Sequence, residues 1–290
     1  MNKFICLKSF GDLVIVAHSI NKYSKNKKNN QILISKHLLP ITKILGSSLN
    51  IITIGNKYDY PAIFNLKNSR ISKIIYDFIY YIYFLHRNLL LNDSVIIDNN
   101  NIRYDLILPL TKKILIPYSK NIYISYAKFF NFDIYNLNNK LINYNSKLNI
   151  AIFPDSRIDL KKLSLSLIEV IRKKISKFDI NFYVYMYTDL KNKDKYKNNF
   201  NVINYFSFNE LSDIIQDNDI VISSDSLPAH LAEFFEKPVF VISPFRNEYW
   251  LPFSSFINRY WCTFNELVDN SNYLDIFIFN HFSNTKLDKN

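Results

Sequence analysis

The stretch IVISSDSLPAHLAEFFEKPVFVISP, residues 220–244, reads as a strand, a polar turn, a short helix, a second turn and a second strand. Ile220–Ser223 and Pro238–Ile242 are short apolar runs, the pattern of strands buried on both faces of a parallel sheet. Between them Ser226 stands where a helix N-cap belongs, and Pro228 suits the first turn of a helix over Pro228–Glu236. A strand, a helix and a second strand joined by short turns are the repeating unit of a parallel α/β sheet.

The same alternation extends in both directions. Upstream, Leu148–Phe153 predicts a strand, Lys161–Lys177 a helix with Leu163, Leu167, Ile168 and Ile171 on one face, Asn181–Tyr187 a strand and Phe208–Gln216 a short helix. Downstream, Phe264–Phe282 predicts one or two helices. Before the polar stretch Asn136–Lys147, which reads as a linker, strands are expected at Phe4–Leu7, Gln31–Ile34, Asn50–Ile54, Ser94–Ile97 and Tyr104–Leu108. Helices are expected at Asp12–Ile20, His37–Leu45 and Ser69–Leu90. The chain therefore predicts two similar α/β halves, 1–145 and 146–290, with their parallel sheets facing a cleft. The C-terminal helix is expected to pack back on the N-terminal half. The Asn/Lys-rich patches Lys22–Asn30 and Lys191–Asn199 read as loops.

The length of 290 residues suits two domains, and 48% hydrophobic residues with 21% charged excludes a disordered chain. Cys6 and Cys262, near opposite ends, exclude a disulfide framework and fit a reducing, cytoplasmic compartment. Only three glycines, Gly11, Gly46 and Gly55, occur where average usage is about 7%. Asn, Lys, Ile, Tyr and Phe are inflated instead, as AT-rich coding favours, so composition says little about function. The net charge of +11 rests on 29 Lys against 7 Arg, and lysine is the less common choice for gripping phosphate.

The N-terminus is not a signal peptide, because Lys8 and Asp12 interrupt its apolar residues. Residues 74–91 form the most lipid-like stretch, but Asp77, His86 and Arg87 break it and its uninterrupted core Phe78–Leu85 is far short of about 20 residues. Two readings stay open for this helix. One buries it within the N-terminal half; the other lays it on an anionic membrane surface with Lys67, Arg70 and Lys73 toward the headgroups.

In open parallel sheets ligands bind beyond the carboxyl ends of the strands. Four polar clusters fall there: Lys8–Asp12, Pro154–Arg157 followed by Lys161 and Lys162, Ser224–His230, and Ser243–Arg246. The helix that starts near Leu227 offers amides and a dipole to an anion, worth about 0.3–1 kcal/mol and up to about 2 when partly buried. That positions a diphosphate without neutralising it, so Lys161, Lys162 or Arg157 would supply the remaining charge. His230 is placed to hydrogen-bond a phosphate or sugar oxygen, or else packs beside Leu227 and Phe234. Asp225 is a ligand-facing carboxylate or one that bonds nearby turn amides. Asp217–Asp219 has a metal-motif spacing but sits before a strand, away from the cleft, and reads as a solvated turn. The histidines show no zinc spacing and there is no Gly-rich phosphate loop.

Residues 223–244 resemble the donor-site signature of the heptosyltransferase-like glycosyltransferases, family 9: Asp-Ser/Thr-Gly-x-x-His-Leu, a Lys/Arg-Pro turn, a strand and a Gly-Pro-Thr turn. Asp225, Ser226, His230, Leu231, Pro238 and Pro244 match it. Gly11 and Asp12 resemble the family's N-terminal Gly-Asp, and Ile150–Arg157 followed by two lysines resembles its phosphate-contacting segment. The matched segments bracket residues 4–252, with no motif between Asp12 and Leu148. Leu227 stands where the family has glycine, and Phe245–Arg246 replaces its Pro-Thr continuation. The retention of Gly11 in a glycine-poor chain predicts a backbone conformation before Asp12 that only glycine tolerates.

The resemblance implies a GT-B fold, two Rossmann-like domains, with the nucleotide-sugar in the C-terminal one and the acceptor in the N-terminal one. It implies inverting transfer without a metal or other cofactor, from an ADP-linked donor to a lipopolysaccharide core or other surface glycan, at the inner face of the inner membrane. Asp12 would be the general base, and Lys161, Lys162, Arg157, Asp225, Ser226 and His230 would hold the donor. An alternative is a catalytically silent GT-B-like binding protein, motivated by Leu227 and Phe245–Arg246. A nucleic-acid-binding protein, suggested by the charge and 16% aromatic residues, requires a basic stripe that lysines scattered through loops do not make.

Overall fold

A computed structural model of the chain describes residues 1–54, 61–62, 69–88, 94–98, 102–108, 111–136, 148–187, 200–269 and 271–282. Lys67, Gly55, most of the expected linker and the 191–199 patch lie outside these residues. The chain divides into two compact units, Met1–Tyr118 with Ser125–Ile134, and Ser119–Ile124 with Tyr135–Asn290.

The first unit runs β1 (Asn2–Cys6), α1 (Phe10–Tyr23), β2 (Asn30–Ser35), α2 (Leu39–Thr42), β3 (Asn50–Ile54), α3 (Ile71–Asn88), β4 (Ser94–Ile97), α4 (Ile102–Ile107) and β5 (Lys112–Leu115). All its strand pairs are parallel, in the order β3-β2-β1-β4-β5. Burial explains the strand sequences. β2 is buried along its whole length, and NQILIS accordingly carries a continuous apolar centre, whereas the edge strand β5 exposes most of KKIL. Helix α5 (Ile122–Phe129) begins in the second unit and ends in the first, where Phe4 of β1 meets the rings of Tyr126, Phe129 and Phe130 at 5.8–6.3 Å.

The second unit contains β6 (Leu148–Phe153), α6 (Leu165–Ile175), β7 (Ile180–Tyr187), β8 (Val202–Tyr205), α7 (Phe208–Asp217), β9 (Ile220–Ser224), α8 (Leu227–Phe234), β10 (Val239–Ser243), α9 (Phe253–Asn258), β11 (Trp261–Thr263), α10 (Phe264–Val268) and α11 (Tyr273–Phe282). The strands are again parallel, in the order β11-β10-β9-β6-β7-β8. Both sheets thus have the doubly wound order, growing outward one way from the first strand and then back past it. The switch point lies between β1 and β4 in the first unit and between β6 and β9 in the second.

Several expectations are corrected. Tyr104–Leu108 is not a strand: Tyr104, Ile107 and Leu108 are buried at helical spacing while Asp105 and Leu106 face out, and the strand is the next segment, β5. The helix expected from Lys161 begins at Leu165, because Ser164 Oγ accepts the Leu167 amide at 3.3 Å and Leu163 N is tied back to Pro154 O at 2.9 Å. Lys161 instead closes a 3-10 turn, Asp159–Lys161. Helix α3 is neither buried all round nor polar outside, since Ile71, Ile75, Ile79 and Tyr83 are exposed. Helix α11 packs on α6 and β11, and its Leu274, Phe277 and Ile278 join the core of the second sheet. Gly11 sits inside α1 and is not among the residues with positive φ, because Ser9 already makes the break as N-cap, accepting Asp12 N at 3.2 Å.

Candidate functional site

In the second unit the loops after β6 and β9 meet at the switch point. Ser224 Oγ donates to the Asp155 carbonyl at 2.9 Å, joining the two strand ends. Asp225 N donates to Ile242 O at 3.2 Å, which fixes the turn against β10. From this frame the Asp225 carboxylate, 6% exposed, meets Lys161 Nζ at 2.6 Å; Lys161 is 19% exposed. Desolvation makes so close a pair meaningful: a buried carboxylate needs a partner, and Lys161 is the one provided. Lys162 pairs with the exposed Asp159 at 2.7 Å, where solvent screens the interaction. Arg157 is exposed one turn before the lysines.

Ser226 is the N-cap residue of α8 by position but makes no side-chain cap. Its hydroxyl lies 2.9 Å from Ser224 Oγ instead. Leu227 is therefore the first helical residue, half-buried, and Pro228 follows it in the first turn without an amide hydrogen. His230, one turn in, is buried, and its Nδ1 lies 3.1 Å from the Tyr123 hydroxyl. Burial lowers the His230 pKa to about 4, with Asp225 acting in the opposite direction and Lys161 adding to the lowering, so the ring is neutral at pH 7. If Nδ1 accepts from the Tyr123 hydroxyl, the proton of the neutral ring is on Nε2, which is then a donor; in the other tautomer Nδ1 donates to the hydroxyl oxygen and Nε2 is an acceptor.

Tyr123 is held from behind. Asn121, wholly buried, donates to the carbonyls of Glu248 and Leu251 at 3.0 and 2.9 Å, and its side-chain oxygen accepts Tyr123 N at 3.0 Å. Sequence reasoning missed Asn121 and Tyr123, since the contact with His230 spans 107 positions and neither residue belongs to a recognisable motif. Asp155 lies in the Pro154–Arg157 cluster, where sequence reasoning gives it no role of its own. Burial raises that carboxyl to about pKa 6, opposed by the Tyr187 amide at 3.3 Å and by Lys162. Pro244 follows β10 half-buried, and Phe245 and Arg246 are exposed; Arg246 is engaged by Glu266 at 2.7 Å.

In the first unit Asp12 lies in the first turn of α1, just beyond the end of β1. Asp98 follows β4 on the other side of that switch point. Burial first, and then these two carboxylates, push the Cys6 thiol and the Tyr126 hydroxyl well above their usual values. Asp12 and Asp98 therefore share one electrostatic neighbourhood, and the sequence pointed only to the former. Asp217–Asp219 ends α7 and precedes β9, where Asp219 Oδ2 accepts Asn149 N at 2.8 Å. It is a structural turn at the amino end of the strand.

No family model matches the chain, and no curated protein is similar to it in sequence. Solved structures are similar along their whole length. The Escherichia coli heptosyltransferase WaaC with ADP superposes with a TM-score of 0.63 at 12% identity, over 97% of this chain and 100% of that one. The family 9 glycosyl transferase from Veillonella parvula gives 0.59 at 11%, over 98% and 96%. The E. coli ADP-heptose lipopolysaccharide heptosyltransferase II gives 0.57 at 9%, over 100% of both chains. The fold is GT-B. At such identities the likeness carries the architecture, and it points to the same heptosyltransferase-like proteins that residues 223–244 resemble.

Proposed function

We propose that the protein is an inverting glycosyltransferase of the heptosyltransferase-like kind, moving a sugar from a nucleotide-sugar to a lipopolysaccharide-core or other surface-glycan acceptor. The observation that carries this reading is the constellation at the start of α8: a buried Asp225–Lys161 pair and the neutral His230 beside the helix N-terminus, all at the switch point of a GT-B nucleotide-binding-type sheet. A diphosphate there would receive the helix dipole, the Lys161 and Lys162 charges and, in the tautomer protonated at Nε2, the N–H of His230. Arg157, being exposed, would reach only the outer edge of the ligand. Because Lys161 already serves Asp225, the phosphates would share this cation rather than claim it.

Asp12 would take the proton of the acceptor hydroxyl as its oxygen attacks the anomeric carbon. The carbon–oxygen bond to the diphosphate breaks, and the electron pair leaves on the phosphate oxygen, where the Lys161 and α8 groups stabilise it. No step requires a metal. Two of the similar structures hold ADP or an ADP-heptose analogue, which makes adenine nucleotides the first ligands to try. Among the described residues no helix is long and apolar enough to cross a membrane, so a lipid-borne acceptor would be met from the surface.

A thermal-shift screen against ADP, UDP, GDP and their sugar conjugates tests donor binding, since any ligand of the native state raises the melting temperature. Transfer or hydrolysis of the responding conjugate then tests catalysis. Asp12→Asn is expected to lower turnover at least a hundredfold with the nucleotide-induced shift retained. Undiminished turnover removes Asp12 from the reaction. A second reading, a silent binding protein, is favoured by the side chain of Leu227 at the first helical position, and it predicts a thermal shift with no turnover of any conjugate.

A further inference from the structure

We propose that the outer face of α3 docks on an anionic lipid bilayer, the helix lying in the plane of the headgroups. Ile71, Ile75, Ile79 and Tyr83 recur every fourth residue and therefore share one face. They are 75%, 53%, 61% and 63% exposed, and Tyr76 at 53% widens the row. Single exposed apolar side chains are ordinary, but a contiguous row about 18 Å long is not. The opposite face is anchored within the unit. Asp77, the one acidic residue between Ile71 and Tyr83, turns inward and accepts the Ala62 amide at 2.6 Å. Tyr81 also turns inward, with its hydroxyl 3.0 Å from Ser35 Oγ. The outward row is thus apolar with no acidic side chain in it, and the exposed Arg70 and Lys73 stand at its N-terminal end.

Charge selects the occupant. The first unit holds 17 Lys and Arg against 7 Asp and Glu, a net +10, which leaves only +1 of the chain's +11 for the second unit. An apolar helix row on a strongly cationic unit matches the surface of a bilayer rich in anionic lipid, into which such a helix sinks about 5–10 Å. A second copy of the chain would bring two units of net charge +10 together, so self-association is disfavoured. The surface bears on the proposed function only on its acceptor side, where it rests on that reading: a lipid-borne acceptor would bring the enzyme to such a membrane. Vesicle binding itself needs no donor, acceptor or turnover, so its failure and the failure of transfer are separate results.

The test is co-sedimentation of the full chain with vesicles of phosphatidylcholine, neutral or containing about 30% phosphatidylserine, at low and high salt. The charged vesicles should bind at least tenfold more protein than the neutral ones, and salt should weaken the binding. Ile75→Asp with Ile79→Asp should lower partitioning at least tenfold with the melting temperature and nucleotide-induced shift of the parent. Ile79→Trp keeps the face apolar, so it should bind like the parent and show new emission quenched by brominated lipid; it serves even if the double variant fails to fold. Absence of binding to charged vesicles, equal binding by a folded double variant, or tryptophan emission blind to brominated lipid overturns the proposal. So does a parent dimer that the double variant abolishes, because a second copy would then cover the face.

Discussion

Replacing Lys161 by Met keeps the length of the side chain and removes its charge, leaving the Asp225 carboxylate, 6% exposed, without the cation 2.6 Å away. Breaking a fully buried pair from one side costs about 3–5 kcal/mol. Lys161 is one-fifth exposed, so water already screens part of this interaction, and about 2–3 kcal/mol is the expected loss. For a unit of this size that is a fall in melting temperature of about 5–10 °C. Adding Asp225→Leu removes the stranded charge, and the double variant should return to within about 1 kcal/mol of the parent, since an apolar pair of similar volume substitutes well for a buried ion pair. Circular dichroism melts of the two single variants and the double close the cycle. The same proteins also test the ligand site. Nucleotide at about 100 times its dissociation constant stabilises the parent by about 2.7 kcal/mol, and both Lys161→Met proteins should lose most of that gain. A Lys161→Met melt within about 2 °C of the parent, or strictly additive single losses, would show that the pair is not coupled. A full nucleotide-induced shift without Lys161 would take that residue out of the phosphate site.

Leu227→Gly restores the residue of the family signature; it should weaken the first turn of α8 by up to about 1 kcal/mol while tightening nucleotide binding, and a weaker nucleotide-induced shift would show that Leu227 does not crowd the ligand. His230 and Asp155 act on stability in opposite directions. Native His230 stays neutral down to about pH 4 whereas an unfolded histidine titrates near 6.5, so the unfolded chain binds more protons in that window and stability falls with the pH. Native Asp155 keeps its proton up to about pH 6 against 3.8 unfolded, so its contribution is present at acid pH and is lost as pH rises through that window. Urea midpoints between about pH 4 and 6 should therefore fall more steeply on acidification in Asp155→Asn and less steeply in His230→Gln than in the parent; the reverse order refutes both assignments. Glu236 closes α8 at φ +57, and Glu236→Gly should raise stability by about 0.5–1 kcal/mol, whereas a loss on thermal melting would show that the glutamate compensates for its strain.

The second sheet was nearly legible in the sequence because its central strands are buried on both faces. Ile220–Ser224 and Val239–Ser243 are buried throughout and stay apolar until the serines at their carboxyl ends, and Leu148–Phe153 departs from an apolar run only at Asn149 near its start. The edges were not legible. Trp261–Thr263 is a three-residue strand, and Val202–Tyr205 alternates burial too briefly to give a period. Tyr104–Leu108 deceived because an aromatic and β-branched run fits a strand by composition, while its spacing fits a helix face. Within the site, Asp225, His230 and Lys161 were readable from local pattern and resemblance. Tyr123 was not, because its place beside His230 depends on Asn121 bonding the carbonyls of Glu248 and Leu251, and no local propensity encodes that link.

The scarcity of glycine is met locally, at the ends of helices. Three helical segments end on a left-handed residue that is not glycine: Asn131 at φ +52, Glu236 at +57 and Arg259 at +57. Each closes in the same way, with the next amide reaching back to the start of the last turn: Phe132 N to Ala127 O, Lys237 N to Ala232 O and Tyr260 N to Ser255 O, all at 2.9 Å. The motif survives because its hydrogen bonds belong to the backbone, and a side chain in that conformation costs only about 1–2 kcal/mol. Arg259 offsets this cost visibly, lying 3.8 Å over the Trp261 ring and facing Glu266 at 3.4 Å. Gly46, at φ +95, has no comparable substitute: a side chain there would meet no neighbour within 4 Å, so the constraint is the backbone itself, and that angle lies beyond the left-handed well the other three occupy. Composition can therefore drift toward Asn, Lys and Ile wherever the cost is a kilocalorie or so. It is held where a backbone angle, as at Gly46, leaves no cheaper residue.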